Sequence, residues 1–248
     1  MASELPLILL HAWPLDARMW RSQVAALRPE GVIHALDLPG FGNEPDLDAP
    51  PSLDLWAGQL SEELRGMGIS RAVFAGCSMG GYTALAMLRF DPSLVAGLAL
   101  VNSRAAADTE EQAANRAATI ERIGREGTDF IVESCALAVS PHTRESKPDV
   151  VAAMRVMASE ASAEALMNAY RAIGARPDMR DELTGLSLPV AIIAGEDDPV
   201  VPLDEARRLA ASIPRASFTQ VAQAGHIAAM EQPDVVTAAL RDFWRSFE

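Results

Sequence analysis

A chain of 248 residues with 49% hydrophobic side chains is long enough to bury a full core, and it holds no apolar run near the roughly eighteen residues that a membrane span requires. Its formal net charge of −13 repels phosphates, which argues against nucleic acid and anionic membranes as partners. Two cysteines are too few for a disulfide framework, and residues 1–10 lack the basic start of a secretory signal, so a cytoplasmic protein is expected.

The first strand-like run covers residues 5–10. It starts almost at once, leaving no room ahead of it for a hairpin, and ends in His11-Ala12-Trp13-Pro14. A helix is expected near 17–28, a second strand over 32–36, the turn Asp37-Leu38-Pro39-Gly40-Phe41-Gly42, and a helix over 52–66. The third strand, 71–77, runs into Gly76-Cys77-Ser78-Met79-Gly80-Gly81, and a helix is expected over 79–90. A serine between glycines at a sharp strand-to-helix turn reads as a nucleophile elbow. Small flanking residues let strand and helix approach closely, and the helix N-terminus turns free N–H groups toward negative charge developing beside Ser78. Cys77 is the rival nucleophile, but its place in the turn points it away from the cleft.

A fourth strand is expected over 95–101, and after Asn102 the alternation of strands and helices stops until Leu188. That alanine-rich stretch reads as an inserted helical cap, residues 103–188, with four helices. Thr109-Glu110-Glu111-Gln112 is a capping box, Thr128 and Ser162 are candidate caps, and Pro148 suits a first helical turn. Val150, Met154, Met157, Leu166, Ala169 and Ile173 fall near helical spacing; most should be cap core, with Met154 and Met157 as candidates to line a substrate pocket. Arg104, at the cap entrance, is a candidate for a substrate carboxylate, with a hinge salt bridge as the plainer role. The remaining chain carries a strand over 189–194, the loop Gly195-Glu196-Asp197-Asp198-Pro199, a helix over 203–212, a strand over 215–221, the loop Ala224-Gly225-His226-Ile227 and a helix over 232–246. The alternation predicts a parallel sheet covered by helices.

A serine hydroxyl needs a base to take its proton and a carboxylate to hold that base. His226 and either Asp198 or Asp197 lie on loops that follow strands, in the chain order Ser, Asp, His. Of the other histidines, His34 falls inside a strand and reads as a core residue, and His142, beside Pro141, as an exposed one. No metal-ligand spacing, phosphate loop or dinucleotide fingerprint is present, so no metal or cofactor is expected.

With these segments on loops in this order, the sequence resembles the α/β-hydrolase family along nearly its whole length. The resemblance implies a mostly parallel sheet of about six strands flanked by helices, with residues 1–102 and 189–248 as the core domain. It implies that the backbone N–H groups of Trp13 and Met79 form an oxyanion hole, that His11 orders the oxyanion loop, and that Asp198, three residues after Gly195, is the acid rather than Asp197. Ala12 stands where many members have glycine, which it can do if φ stays negative. The implied activity is hydrolysis of small carboxylic esters through an acyl-enzyme. An enol-lactone hydrolase, an acyltransferase or perhydrolase, and a non-turnover receptor of a small ligand are the alternatives. The lactonase would need a cation in the cap, for which Arg104, Arg144, Arg155, Arg171 and Arg176 are available. Oligomeric state and natural substrate are not legible.

Overall fold

The computed structural model describes residues 3–247. Strands β1 (Ser3–Leu10) and β2 (Gly31–Leu36) flank α1 (Arg21–Leu27), and the helix expected over 17–28 is divided, its first turn being a 3-10 helix, Ala17–Trp20. Then follow α2 (Leu53–Gly66), β3 (Ala72–Cys77), α3 (Met79–Phe90) and β4 (Val95–Val101). The six strands form one parallel sheet in the order β2-β1-β3-β4-β5-β6, with β5 at Val190–Gly195 and β6 at Ala216–Val221.

The period of two along β1 divides the core. Ile8 and Leu10 face a cluster with Trp56 and Leu60 of α2 and Tyr82 and Leu85 of α3, whereas Leu7 and Leu9 face one with Leu27 of α1 and Trp244 near the C-terminus. Because both faces are covered, β3, β4 and β5 are buried at every position. His34 lies on β2 as the pattern requires, but on an edge strand of the sheet it is only half-buried.

Between β4 and β5 lie six helices rather than the four read from the sequence: α4 (Glu110–Glu126), α5 (Asp129–Ala138), α6 (Pro141–Ser146), α7 (Pro148–Glu160), α8 (Ala163–Gly174) and α9 (Arg180–Thr184). Thr109 and Gln112 form the reciprocal capping box, Ser162 accepts from the N–H of Ala165, and Pro148 opens α7. Thr128 departs from expectation. Its backbone, φ −107° and ψ −7°, is already near helical, so the hydroxyl makes no capping hydrogen bond. The overlooked α6 has its own cap, Ser140, whose Oγ accepts from the N–H of Thr143 at 3.1 Å; at six residues it is too short for periodicity to register. The chain closes with α10 (Leu203–Ser212), the short α11 (Ala228–Glu231) and α12 (Pro233–Arg245). Among the described residues no helix is long and apolar enough to cross a membrane.

Candidate active site

Ser78 sits between β3 and α3 at φ 50° and ψ −110°, a backbone region rarely occupied by residues with a side chain. Its surroundings hold that conformation. A Cβ on Gly76 would lie 2.2 Å from the Gly80 backbone, and one on Gly80 would lie 2.2 Å from the carbonyl oxygen of Leu10, so glycine at both positions is what lets α3 close onto β3 and β1. The Ser78 carbonyl accepts from the N–H groups of Gly81 and Tyr82 at 2.9 and 3.1 Å and from the Ser103 hydroxyl at 2.9 Å.

The Ser78 Oγ lies 2.8 Å from His226 Nε2, and His226 Nδ1 lies 2.9 and 3.0 Å from the two carboxylate oxygens of Asp198. Such a chain of contacts lets a hydroxyl pass its proton to an imidazole whose far side is held by a carboxylate. The three side chains come from the loops after β3, β5 and β6, all at the carboxyl end of the parallel strands. Asp198 Oδ1 also accepts from the N–H groups of Val200 and Val201, and Oδ2 from the side-chain amide of Asn102 at 2.8 Å. Burial pushes the Asp198 carboxyl up, but the His226 ring and these donors outweigh it and bring it below the usual carboxylate value. Asp197 is exposed.

Two groups the sequence reading passed over lock this arrangement. Asn102, at φ 47°, donates to both Asp198 and the carbonyl of Gly225. Glu231 is fully buried and accepts from the N–H groups of Gly225 and Ile227, on either side of His226, and from the Ser140 N–H and Thr143 hydroxyl at the start of α6. One carboxylate thus ties the histidine loop to the helical segment. Neither had a local signal, because their partners lie far away in sequence.

Cys77 does not share the site. Its thiol is buried in the cluster that includes Leu7 and Leu9, burial raises its pKa, and its Sγ lies 3.8 Å from the His226 carbonyl. His11 supports the neighbouring loop: buried, with its pKa lowered by burial, it accepts the Leu38 N–H on Nε2 at 2.8 Å while Nδ1 faces the Ala12 carbonyl. Ala12 is not among the positive-φ residues, so alanine is accommodated there. Among the described residues, the N–H groups of Trp13 and Met79 donate to no protein acceptor.

Ser78 and His226 open on a cavity of about 150 Å³ lined also by Trp13, Met154, Tyr170 and Arg116. Met154, on α7, is thus one of the lining residues. Met157, three residues further along α7, lines an outer groove with Met19 and Met230 instead. Arg104 is likewise withdrawn, buried against Glu205 at 3.3 Å and donating to the Val200 carbonyl, which is the hinge contact rather than a substrate contact. Arg144, Arg155 and Arg171 are exposed, and Arg176 is buried against Asp108. His142 is half-buried and bonded to Ser146 rather than fully exposed. The cation that reaches the cavity is Arg116 of α4, which the sequence reading did not single out, because its neighbours Asp108 and Tyr170 lie on other segments. Among the described residues no cluster of His, Cys, Asp and Glu could hold a metal ion.

Residues 7–239 match the alpha/beta hydrolase family. The chain is 29% identical over 240 residues to 3-oxoadipate enol-lactonase 1 of Acinetobacter baylyi, covering 94% of this chain and 86% of that protein. It is 30% identical over 246 residues to a pimeloyl-[acyl-carrier protein] methyl ester esterase of Stenotrophomonas maltophilia, covering 96% and 92%. A thermophilic esterase from Thermogutta terrifontis superposes with a TM-score of 0.94 at 34% identity, covering 100% of this chain and 92% of the other.

Proposed function

The chain belongs to the alpha/beta hydrolase family, and on that basis we propose that it is a serine hydrolase that cleaves small carboxylic esters through an acyl-enzyme. The observation that carries this reading is the unbroken contact chain Ser78 Oγ, His226 Nε2, His226 Nδ1, Asp198. Ser78 Oγ attacks the carbonyl carbon while its proton passes to His226 Nε2; Asp198 holds the imidazolium that results. The negative charge gathering on the carbonyl oxygen is met by the N–H groups of Trp13 and Met79, which have no other acceptor. The tetrahedral adduct collapses, the alcohol leaves with the proton from Nε2, and water then repeats the sequence on the acyl-enzyme to release the acid and restore Ser78.

We read residues 1–102 and 189–248 as the catalytic core and 103–188 as its cap, since α4, α5, α7 and α8 contribute Arg116, Cys135, Met154 and Tyr170 to the cavity above Ser78. A lactone is the second reading, favoured by the likeness to an enol-lactonase. Opening a lactone uses the same steps, with the alcohol kept on the acyl chain.

The test is steady-state hydrolysis of p-nitrophenyl esters of increasing acyl length by the wild type and by Ser78→Ala. Repeated turnover, highest for short chains and reduced on the order of 10⁴-fold or more in the variant, is the expected result. A variant that keeps most of the activity overturns the reading.

A further inference from the structure

The lining of the cavity beside Ser78 contains one arginine and no lysine, aspartate or glutamate. Arg116 enters it from α4 with its guanidinium 5.0 Å from the centre of the Tyr170 ring, and Tyr170 stacks at 4.1 Å on Trp13. Cation, phenol and indole therefore form one continuous wall that leads to the Trp13 backbone beside Ser78. Asp108 receives Arg116 Nε at 2.5 Å and Nη2 at 3.3 Å, and among the described residues Nη1 has no acceptor. The same carboxylate is shared with Arg176 Nη1 at 2.8 Å, so two guanidiniums face one carboxylate and one positive charge is left over.

The groups along this wall with unused hydrogen-bonding capacity can all donate. Trp13 Nε1 is buried without a partner, and the hydroxyls of Tyr82 and Tyr170, which also line the cavity, make no hydrogen bond to the described protein. Guanidinium and indole N–H groups cannot accept, so only an incoming acceptor satisfies them. An apolar acyl end placed here would desolvate Arg116 Nη1 and leave it without an acceptor. A carboxylate supplies acceptors only, carries the single negative charge that balances the surplus, and matches a guanidinium edge in shape.

We propose that Arg116 makes this cavity a carboxylate subsite, so that the preferred substrates are esters or lactones that carry a free carboxylate away from the bond being cleaved. The proposal rests on the hydrolase reading of Ser78 and names its substrate class.

Two ester series test it, each compared with isosteric amide-capped analogues that lack the charge. One is the methyl half-esters of succinate, glutarate and adipate, with the carboxylate on the acyl side; the other is acetyl esters of short hydroxy acids, with it on the leaving side. In at least one series the wild type is expected to favour the acid over the amide by about tenfold or more in kcat/KM, mainly through KM. Arg116→Gln should bring that ratio close to one, and Arg116→Lys should keep part of it. A ratio near one in both wild-type series, or a ratio that survives Arg116→Gln, overturns the subsite.

Should Arg116→Gln fail to fold, calorimetry of glutarate and of glutaramide against Ser78→Ala reads the same property. Preferential binding of glutarate supports the subsite, and equal or absent binding of the two overturns it. The two readings fail separately. Cleavage of amide-capped esters without preference removes the subsite and leaves the hydrolase, whereas glutarate binding that depends on Arg116, with no ester cleaved, removes the hydrolase and leaves the subsite.

Discussion

Asp197 and Asp198 are adjacent in sequence and opposite in circumstance. Asp198 is buried beneath His226 with three further donors on its oxygens, whereas Asp197 faces solvent. Replacing Asp198 by Asn keeps the shape but turns an acceptor of the Nδ1 proton into a group that can offer an N–H, which disfavours the required tautomer. Asp198→Asn is therefore expected to lower kcat on the order of 10⁴-fold, and Asp197→Asn to leave it nearly unchanged, in steady-state ester hydrolysis. Equal losses would place the acid elsewhere. From sequence the two were separated only by their distance from Gly195. Their actual separation comes from which one the loop turns inward, where Asn102 and the N–H groups of Val200 and Val201 await it.

At the scale of an element, the β3–α3 junction shows how much a short motif can specify. Gly76 and Gly80 are close-approach positions, and the Ser78 backbone conformation depends on both. Gly80→Ala drives a methyl into the Leu10 carbonyl and is expected to destabilise the fold by about 1–3 kcal/mol. Gly124, inside α4, has nothing within 4 Å of the corresponding position, so Gly124→Ala should stabilise by up to about 1 kcal/mol through helix propensity. Urea unfolding of the two variants checks the contrast, and a Gly80→Ala midpoint equal to the wild type would contradict the packing argument. Helix starts were legible where a polar side chain preceded an extended residue, as at Thr109 and Ser162. Thr128 misled because residue type alone does not reveal whether the backbone has already turned helical.

For the whole molecule, the helical segment is joined to the sheet by polar contacts as well as by apolar packing. Arg18 bridges Asp16 to Glu160 of α7, Asn168 donates to Asp46 at 2.8 Å, and Glu231 joins the His226 loop to α6. Burial raises the carboxyls of Asp16, Asp108 and Asp198, but arginine partners for the first two, and His226 with its neighbouring donors for the third, bring all three below the ordinary value. A depressed native pKa means that the unfolded chain binds more protons in acid. The stabilisation is thus complete above the unfolded carboxylate value, about pH 4, and is lost as pH falls through the lower native values. Thermal melts from pH 7 to pH 2 are expected to be nearly level down to about pH 5 and to fall steeply below pH 4; a flat profile to pH 2 would show that these carboxylates do not support the fold.

Strand period, glycine placement around Ser78 and the order of Ser78, Asp198 and His226 were readable along the chain, because each rests on neighbours within a few residues or on the alternation of burial in a parallel sheet. The six-stranded sheet follows from the same local information. Which methionine and which arginine enter the cavity was decided by packing: Met154 lines it while Met157, three residues on, lines an outer groove, and Arg116 is aimed by Asp108, in the segment just before α4, and by Tyr170 of α8. Asn102 and Glu231 acquire their partners in the same way, from loops brought together only when the sheet has assembled. Tertiary contacts of this kind leave no periodic trace in the order of residues, so the meeting of Ser78, Asp198 and His226 could be read from the sequence and the lining of the cavity beside them could not.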